Sequence, residues 1–391
     1  MGEKGNDGGQ FFTPREIIRA MVRVINPRVG ETIFDPASGT GGFLAQAFDY
    51  LKDTDLSPEQ FETLKHRTFY GREKDNIIYP IGLANLVLHG IDEPHVWHGN
   101  TLTGQETYGG LFEGAPPFFD VILMNPPFGG KESKAAQNLF AFQTGATQVL
   151  FLQYIIDHLR PEGGRCGMVI DEGVLFRTNE TAFVQTKRKL LDDCDLRCIV
   201  SLPGGVFTAA GAGVKTNLLF FTKGKPTEKI WYYDLSDIKV GKKTPFTLDK
   251  FEDFFRLLPE RADGDRSWTV DITAKRHEAK RQADPLREKA QTLAAEATTL
   301  RSRIKELKKE NTAAARAKIE ELSNAASTLE AQASELNGKA QTIENAVYDL
   351  KAVNPNAKSV EDTRTPEELL DLIEAKGREV AEALSALRAL R

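Results

Sequence analysis

Two short stretches of this chain carry residue types and spacings that could do chemistry. The first is Asp35-Pro36-Ala37-Ser38-Gly39-Thr40-Gly41-Gly42-Phe43, which follows an apolar triplet and opens a helical pattern. Glycines there let the backbone turn sharply and approach a ligand closely, at the positive end of a helix. Leu44 stands where the last glycine of a dinucleotide-binding Gly-x-Gly-x-x-Gly would fall, and the Gly-Lys-Ser/Thr of a phosphate-binding loop is absent. An acid at the strand end suits a ligand with an ammonium group, which hydride cofactors do not present. The second stretch is Asn125-Pro126-Pro127-Phe128, directly after an apolar run. Its prolines hold a rigid extended turn. Asn125 then offers a side-chain acceptor, Pro126 a backbone acceptor and Phe128 a flat stacking surface. Together they fit a planar amine, such as the exocyclic amine of an adenine flipped from a duplex. The same geometry serves a protein glutamine, an RNA adenine or cytosine N4, so the motif leaves these substrates open.

These stretches need elements to position them. Residues 32–34 read as a strand leading into the glycine turn, with a helix over about 43–51 behind it. A strand at 68–71 precedes a helix at 77–89, and a strand at 119–124 leads into the proline turn. A helix at 150–159 and strands at 165–170, 197–201 and 217–222 complete the set. Strands alternating with helices imply a parallel sheet covered on both faces, an α/β fold.

Composition changes near residue 270. Beyond Arg281 there is no phenylalanine, and 18 basic against 19 acidic residues make this region nearly neutral rather than a basic arm. Leu286, Leu293, Leu300 and Leu307 recur every seven residues, interleaved with Ala290, Ala297 and Ile304. A second set runs Leu322, Leu329, Leu336, Ile343 and Leu350, interleaved with Ile319, Ala326, Ala333, Ala340 and Val347. Such heptads form an apolar seam for a partner helix. Leu307 and Leu322 are 15 residues apart, one more than two heptads. The slip fits either one long helix with a skip or a hairpin turning near Asn311. Thr365-Pro366-Glu367-Glu368 starts a last helix, with a cap candidate and acids in its first turn. The expected division is a catalytic domain over 1–275 and a helical, coiled-coil tail over 276–391.

The whole chain has 391 residues, with 51 Lys plus Arg against 56 Asp plus Glu, a net charge of −5. That balance argues against a self-sufficient nucleic-acid binder, which usually carries a basic face. At 40% hydrophobic and 27% charged, the composition is that of a globular protein and excludes a disordered or collagen-like chain. No apolar run approaches the ~20 residues that span a bilayer, so no membrane partner is expected. The polar first ten residues do not resemble a secretory signal, and three cysteines suit a reducing cytoplasm.

The order Gln10-Phe11-Phe12-Thr13-Pro14-Arg15, then the loop at 35–43, then Asn125 to Phe128 resembles the amino-methylating DNA methyltransferases. It more specifically resembles the modification subunits of type I restriction–modification systems. Residues 204–207 and 215–221 support the likeness, which covers roughly residues 8 to 270, with the heptad tail agreeing in kind. The resemblance implies a Rossmann-like methyltransferase domain, S-adenosylmethionine as cofactor, no metal, and methyl transfer to N6 of adenine in DNA. Phe12, Thr13 and Pro14 would approach the cofactor's amino-acid end, and Asp35 would hold its ammonium. Pro36, Ser38, Gly39, Thr40, Gly41 and Gly42 would shape the backbone around it, and Glu73 would take the ribose hydroxyls. Asn100 stands where the family usually has an aspartate against the adenine ring, and it would still accept from the adenine amine. Asn125, Pro126, Pro127 and Phe128 would bind and orient the target base. The implied partners are DNA and a specificity subunit docked on the seam of the C-terminal helices, with a restriction subunit and a second modification subunit as further members. The net −5 then reads as the charge of one subunit that shares its grip on DNA. The family has a helical domain ahead of this region, and only nine residues precede Gln10. Either the chain is shortened or that clamp on DNA is missing.

Other candidates are weaker. Cys194 and Cys198 lack companions for a zinc site and read as core thiols. His89, His95 and His98 have no nucleophile beside them and read as structural. Lys215, Thr216 and Asn217 fit either DNA contact or strand-edge polarity. An inactive scaffold is the rival from another functional class, and the intact loop and Asn-Pro-Pro-Phe turn argue against it.

Overall fold

The computed structural model describes residues 12–108, 114–207, 215–241, 243–310, 312–351, 353–356 and 365–389. Gln10, Phe11 and Asn311 lie outside the described residues. The chain divides into two units, Met1–Asn354 and Pro355–Arg391.

The first unit opens with α1 (Arg15–Ile25), β1 (Ile33–Asp35), α2 (Gly42–Lys52), α3 (Pro58–His66) and β2 (Phe69–Glu73). There follow α4 (Ile78–His89), β3 (His95–Asn100), β4 (Gln105–Tyr108) and β5 (Val121–Met124). Next come α5 (Lys134–Gln137), α6 (Thr147–His158), β6 (Arg165–Asp171), α7 (Glu172–Phe176) and α8 (Thr181–Asp193). The sheet is completed by β7 (Cys194–Ser201), β8 (Thr216–Lys223), β9 (Lys229–Asp234) and, after α9 (Glu252–Leu257), β10 (Ser267–Asp271). All ten strands form one sheet in the order β10-β9-β7-β8-β6-β5-β1-β2-β3-β4. Every residue of β1 and β5 is buried, as expected of central strands covered on both faces. Two apolar layers, one on each face, sandwich the sheet.

The sheet is mostly parallel, with one internal departure. β8 runs antiparallel to both neighbours, β6 and β7. No helix separates β7 from β8 among the described residues. Antiparallel neighbours need no crossover helix between them. The edge strands β4 and β10 are antiparallel as well.

After Asp271, whose side chain accepts from Ala274 N at 2.8 Å as an N-cap, the chain forms α10 (Ile272–Leu307) and then α11 (Ala313–Ala346). The register slip is therefore a hairpin. Arg287 pairs with Glu344 and Arg301 with Glu330, at 2.6 and 2.8 Å, which fixes the helices antiparallel. That register brings Ala290, Ala297 and Ile304 level with Ala340, Ala333 and Ala326, and all six are buried. The heptad seam thus finds a partner helix within the chain. The end of the hairpin returns to the sheet: Leu350 N donates to Leu175 O at 3.1 Å and Tyr232 Oη to Leu350 O at 3.0 Å. Lys187, fully buried, caps the end of α7 by donating to Leu175 O and Arg177 O. The second unit contains α12 (Pro366–Ala389), on which Leu370, Ile373 and Val380 are exposed. No helix among the described residues is long and apolar enough to cross a membrane.

Alanines at the seam set a close helix spacing. Ala297→Leu inserts three carbons where Ala333 stands opposite, and overpacking of this kind costs about 1–3 kcal/mol. Hydrogen exchange should show protection falling across both hairpin helices while amides of β1, β5 and β6 keep theirs.

Candidate functional site

From β1 the chain moves to one side of the sheet to build β2, β3 and β4, and then returns to the other side with β5. The strand order reverses between β1 and β5. In open α/β sheets the crevice outside the carboxyl ends at such a point is where ligands bind. A cleft of about 1540 Å³ opens there. Every residue predicted for the site lines it except Gly41 and Phe128.

The loop after β1 is bent by two glycines in the left-handed region, Gly39 at φ 52° and Gly41 at φ 76°. It is held from behind by β2: Ser38 N donates to Arg72 O at 2.9 Å, and Gly39 N to Glu73 Oε2 at 2.9 Å. Glu73 also accepts from Asp75 N at 2.8 Å, so each carboxylate oxygen keeps a lone pair for the cleft. The second support comes from α4 and was not read from the sequence. A Cβ on Gly82 would stand 2.7 Å from Gly39 O, and Asn85 Nδ2 donates to Thr40 O at 2.9 Å. The available signal was a glycine inside an apolar helical pattern, which costs helix stability and implies a close approach. Gly41 faces Leu86 of the same helix rather than the cleft.

Asp35 is 1% exposed and accepts only from Ala37 N, at 3.1 Å, among the described residues. Burial, opposed in part by that hydrogen bond and aided by the nearby Glu73 charge, pushes its carboxyl up to about 8. The folded protein thus keeps a neutral acid where a cation would return it to the ionised form. Asn100 Oδ1 accepts from Leu102 N, at 2.9 Å, and keeps a second lone pair beside its amide hydrogens.

On the other side of the switch point, Asn125 Nδ2 donates to Thr13 Oγ1 at 3.0 Å. Asn125 Oδ1 is buried and accepts no hydrogen bond among the described residues. Buried polar atoms are rarely left so, and this one belongs to a residue that lines the cleft. Phe128 is 6% exposed and meets Phe207 edge to face, with centroids 5.7 Å apart. The segment after it folds back on α6: Thr147 Oγ1 donates to Glu132 Oε1 at 3.1 Å, and Thr147 N to Gly130 O at 3.3 Å. Lys131, Glu132 and Thr147 thereby join the cleft wall, unforeseen because only the fold brings them there.

The weaker candidates fall elsewhere. Cys166, Cys194 and Cys198 are free and buried, and burial pushes the Cys194 thiol up to about 12. His98 stacks on Tyr79 and His95 on Tyr70, at 4.5 and 4.9 Å, while His89 stands at the cleft rim. Thr216 and Asn217 are buried within β8 rather than preceding it.

Asp35 has a consequence for stability. The unfolded carboxyl titrates near its ordinary 3.8 and the folded one near 8, so between these values the folded state holds a proton that the unfolded state lacks. Stability contributed at low pH is therefore lost as pH rises through this window. Asp35→Asn should melt several degrees higher than wild type at pH 8, with the gap closing towards pH 4. Equal melting temperatures for the two ligand-free proteins at pH 8 would contradict the buried acid.

Comparison with known proteins agrees with this geometry. The model of the N-6 DNA methylase family matches residues 2–332. The methylase subunit of the type I restriction enzyme EcoEI from Escherichia coli is 39% identical over 257 residues, covering 64% of this chain and 50% of that protein. A structure described as the modification subunit of a type I restriction enzyme from Vibrio vulnificus YJ016 superposes with a TM-score of 0.62 at 34% identity, over 69% of this chain and 57% of that one. A chain solved in work on complex assembly and conformational transition of a type I restriction–modification system gives a TM-score of 0.65 at 32% identity, over 99% of this chain and 67% of that one. This chain spans about half the length of the methylase subunits it matches. With the family model covering most of its length and the cleft at the expected switch point, the chain belongs to the N-6 DNA methylase family.

Proposed function

We propose that the chain transfers a methyl group from S-adenosylmethionine to N6 of adenine in DNA, as the modification subunit of a type I restriction–modification system. One observation carries the reading: Asn125, whose buried Oδ1 has no partner among the described residues, lines the same cleft as the neutral, cation-seeking Asp35. Cofactor and substrate amine are the two groups these atoms lack.

The residues present fit the cofactor. Asp35 would take its ammonium, with Thr13 and Pro14 at the same end. Gly39 and Gly42 leave room along the loop, Glu73 would accept from the ribose hydroxyls, and the Asn100 amide would meet the adenine ring. Bound there, S-adenosylmethionine supplies a methyl group carried on a sulfonium sulfur. Asn125 Oδ1 and the Pro126 carbonyl would each accept one hydrogen of the target amine. Two acceptors on one amine hold its hydrogens in their plane and aim the nitrogen lone pair, so that positioning supplies much of the rate. Pro127 keeps the turn extended. Phe128, buried against Phe207 just outside the cleft lining, would stack on the base by turning into the cleft.

Sequence choice would come from a specificity subunit. The seam of α10 and α11 is filled from within, whereas α12 presents Leu370, Ile373 and Val380 to the outside. We place that docking on α12, treat residues 276–391 as the assembly region, and keep the restriction subunit and a second modification subunit as further members. The expected compartment is the cytoplasm.

Asn125→Ala should lower methyl transfer to a cognate duplex by at least 10²-fold within the full assembly, while S-adenosylhomocysteine still binds. Wild-type methylation by this variant would refute the assignment, and labelling of glutamine or RNA instead of DNA would move it to another substrate. Removal of residues 355–391 should leave cofactor binding intact and abolish co-purification with the specificity subunit. Unimpaired assembly would exclude α12 as the dock.

A further inference from the structure

We infer that the Thr13 hydroxyl is a positioning group that turns the Asn125 amide, so that an anionic group bound at the loop end of the cleft decides whether Asn125 offers an acceptor to the substrate amine. The inference rests on the methyltransferase reading above and adds a coupling between its two subsites.

The argument starts from the amide itself. The two ends of an asparagine side chain are nearly alike in shape, and only their hydrogen-bond partners decide which end faces which way. Asn125 Nδ2 points to Thr13 Oγ1 at 3.0 Å, and its Oδ1 is buried with no partner among the described residues. These two residues, 112 positions apart in sequence, line one cleft together with the loop that starts at Asp35.

A hydroxyl has one hydrogen and two lone pairs. If an anionic oxygen in the cleft takes the Thr13 hydrogen, only lone pairs remain towards Asn125. The amide must then turn its NH2 to Thr13, and Oδ1 is left for the substrate amine. If nothing takes that hydrogen, Thr13 can donate to Oδ1 instead. The amide turned over then presents its own NH2 to the incoming amine, donor against donor. The amino-acid carboxylate of the cofactor has the right chemistry to claim the hydrogen. Bound cofactor, or its demethylated product, would accordingly lock Asn125 in the acceptor orientation seen here, with Nδ2 on Thr13.

The test uses the assembled complex and equilibrium binding of two cognate duplexes, one with adenine and one with purine, which lacks the amine, at the target position. The probe for the cofactor end is S-adenosylhomocysteine at saturation. Wild type should prefer adenine over purine about tenfold with the probe and by much less without it. Thr13→Val, which lacks the hydroxyl, should show no preference gained on adding the probe, and its kcat at saturating cofactor should fall about tenfold. Thr13→Ser keeps the hydroxyl and should behave as wild type in both respects, which a purely structural role of the threonine methyl would not allow. A wild-type preference independent of the probe, or a wild-type response in Thr13→Val, would overturn the inference. Failure of the wild-type complex to bind the probe or to methylate adenine would instead refute the methyltransferase reading.

Discussion

The catalytic half depends on the pairing of β1, three residues long, between β5 and β2. Ile33 and Phe34 lie beside Val121 and Ile122 on one side, and Ile33 to Asp35 lie beside Phe69 to Gly71 on the other, all parallel. The amino ends of β1 and β5 are pinned together, because Thr32 N and Thr32 Oγ1 both donate to Asp120 Oδ2 at 2.9 Å. The carboxyl ends must separate, since the chain leaves β1 towards β2 and leaves β5 towards β6. Asp35 and Asn125 are the first residues on either lip of that opening. A one-residue slip in either pairing would exchange the faces of every side chain along the strand and part these two groups.

With that frame fixed, the site is built by leaving polar atoms incompletely satisfied. Asp35 is buried with one backbone donor, and Asn125 Oδ1 is buried with none among the described residues. A buried polar group without a partner costs about 1–3 kcal/mol, so neither arrangement favours the ligand-free fold. Each is the complement of a particular ligand group: a cation for the acid, an N–H for the amide oxygen. The surroundings keep the cost local. Three of the loop's backbone groups are taken up by Arg72, Glu73 and Asn85, which brace the loop against β2 and α4.

Much of this was legible in the sequence because it is written in residues whose options are few. The run from Asp35 to Gly42 and the prolines after Asn125 restrict the backbone, so their conformations follow from residue type. Supports from elsewhere in the chain were not legible. Gly82 and Asn85 look like ordinary residues of an apolar helix until α4 is laid against Gly39 and Thr40. The Thr13–Asn125 bond spans 112 positions, and no local pattern announces it. The reversal of β8 was not legible, because strands alternating with helices implied a parallel sheet.

The tail shows why heptads alone cannot say where a seam finds its partner. A helix pairing within its own chain and one pairing with another chain bury the same positions with the same period. Residue size and length separate them here. Alanine recurs on both sides of the seam, at 290, 297, 326, 333 and 340, and faces alanine along it except towards the turn, where Ile304 stands level with Ala326. Helices of 36 and 34 residues, running antiparallel, bring these positions level. The returning end then ties into α7 and β9 through Leu350, so the hairpin belongs to the unit that carries the sheet. On α12, in the other unit, Leu370, Ile373 and Val380 are exposed.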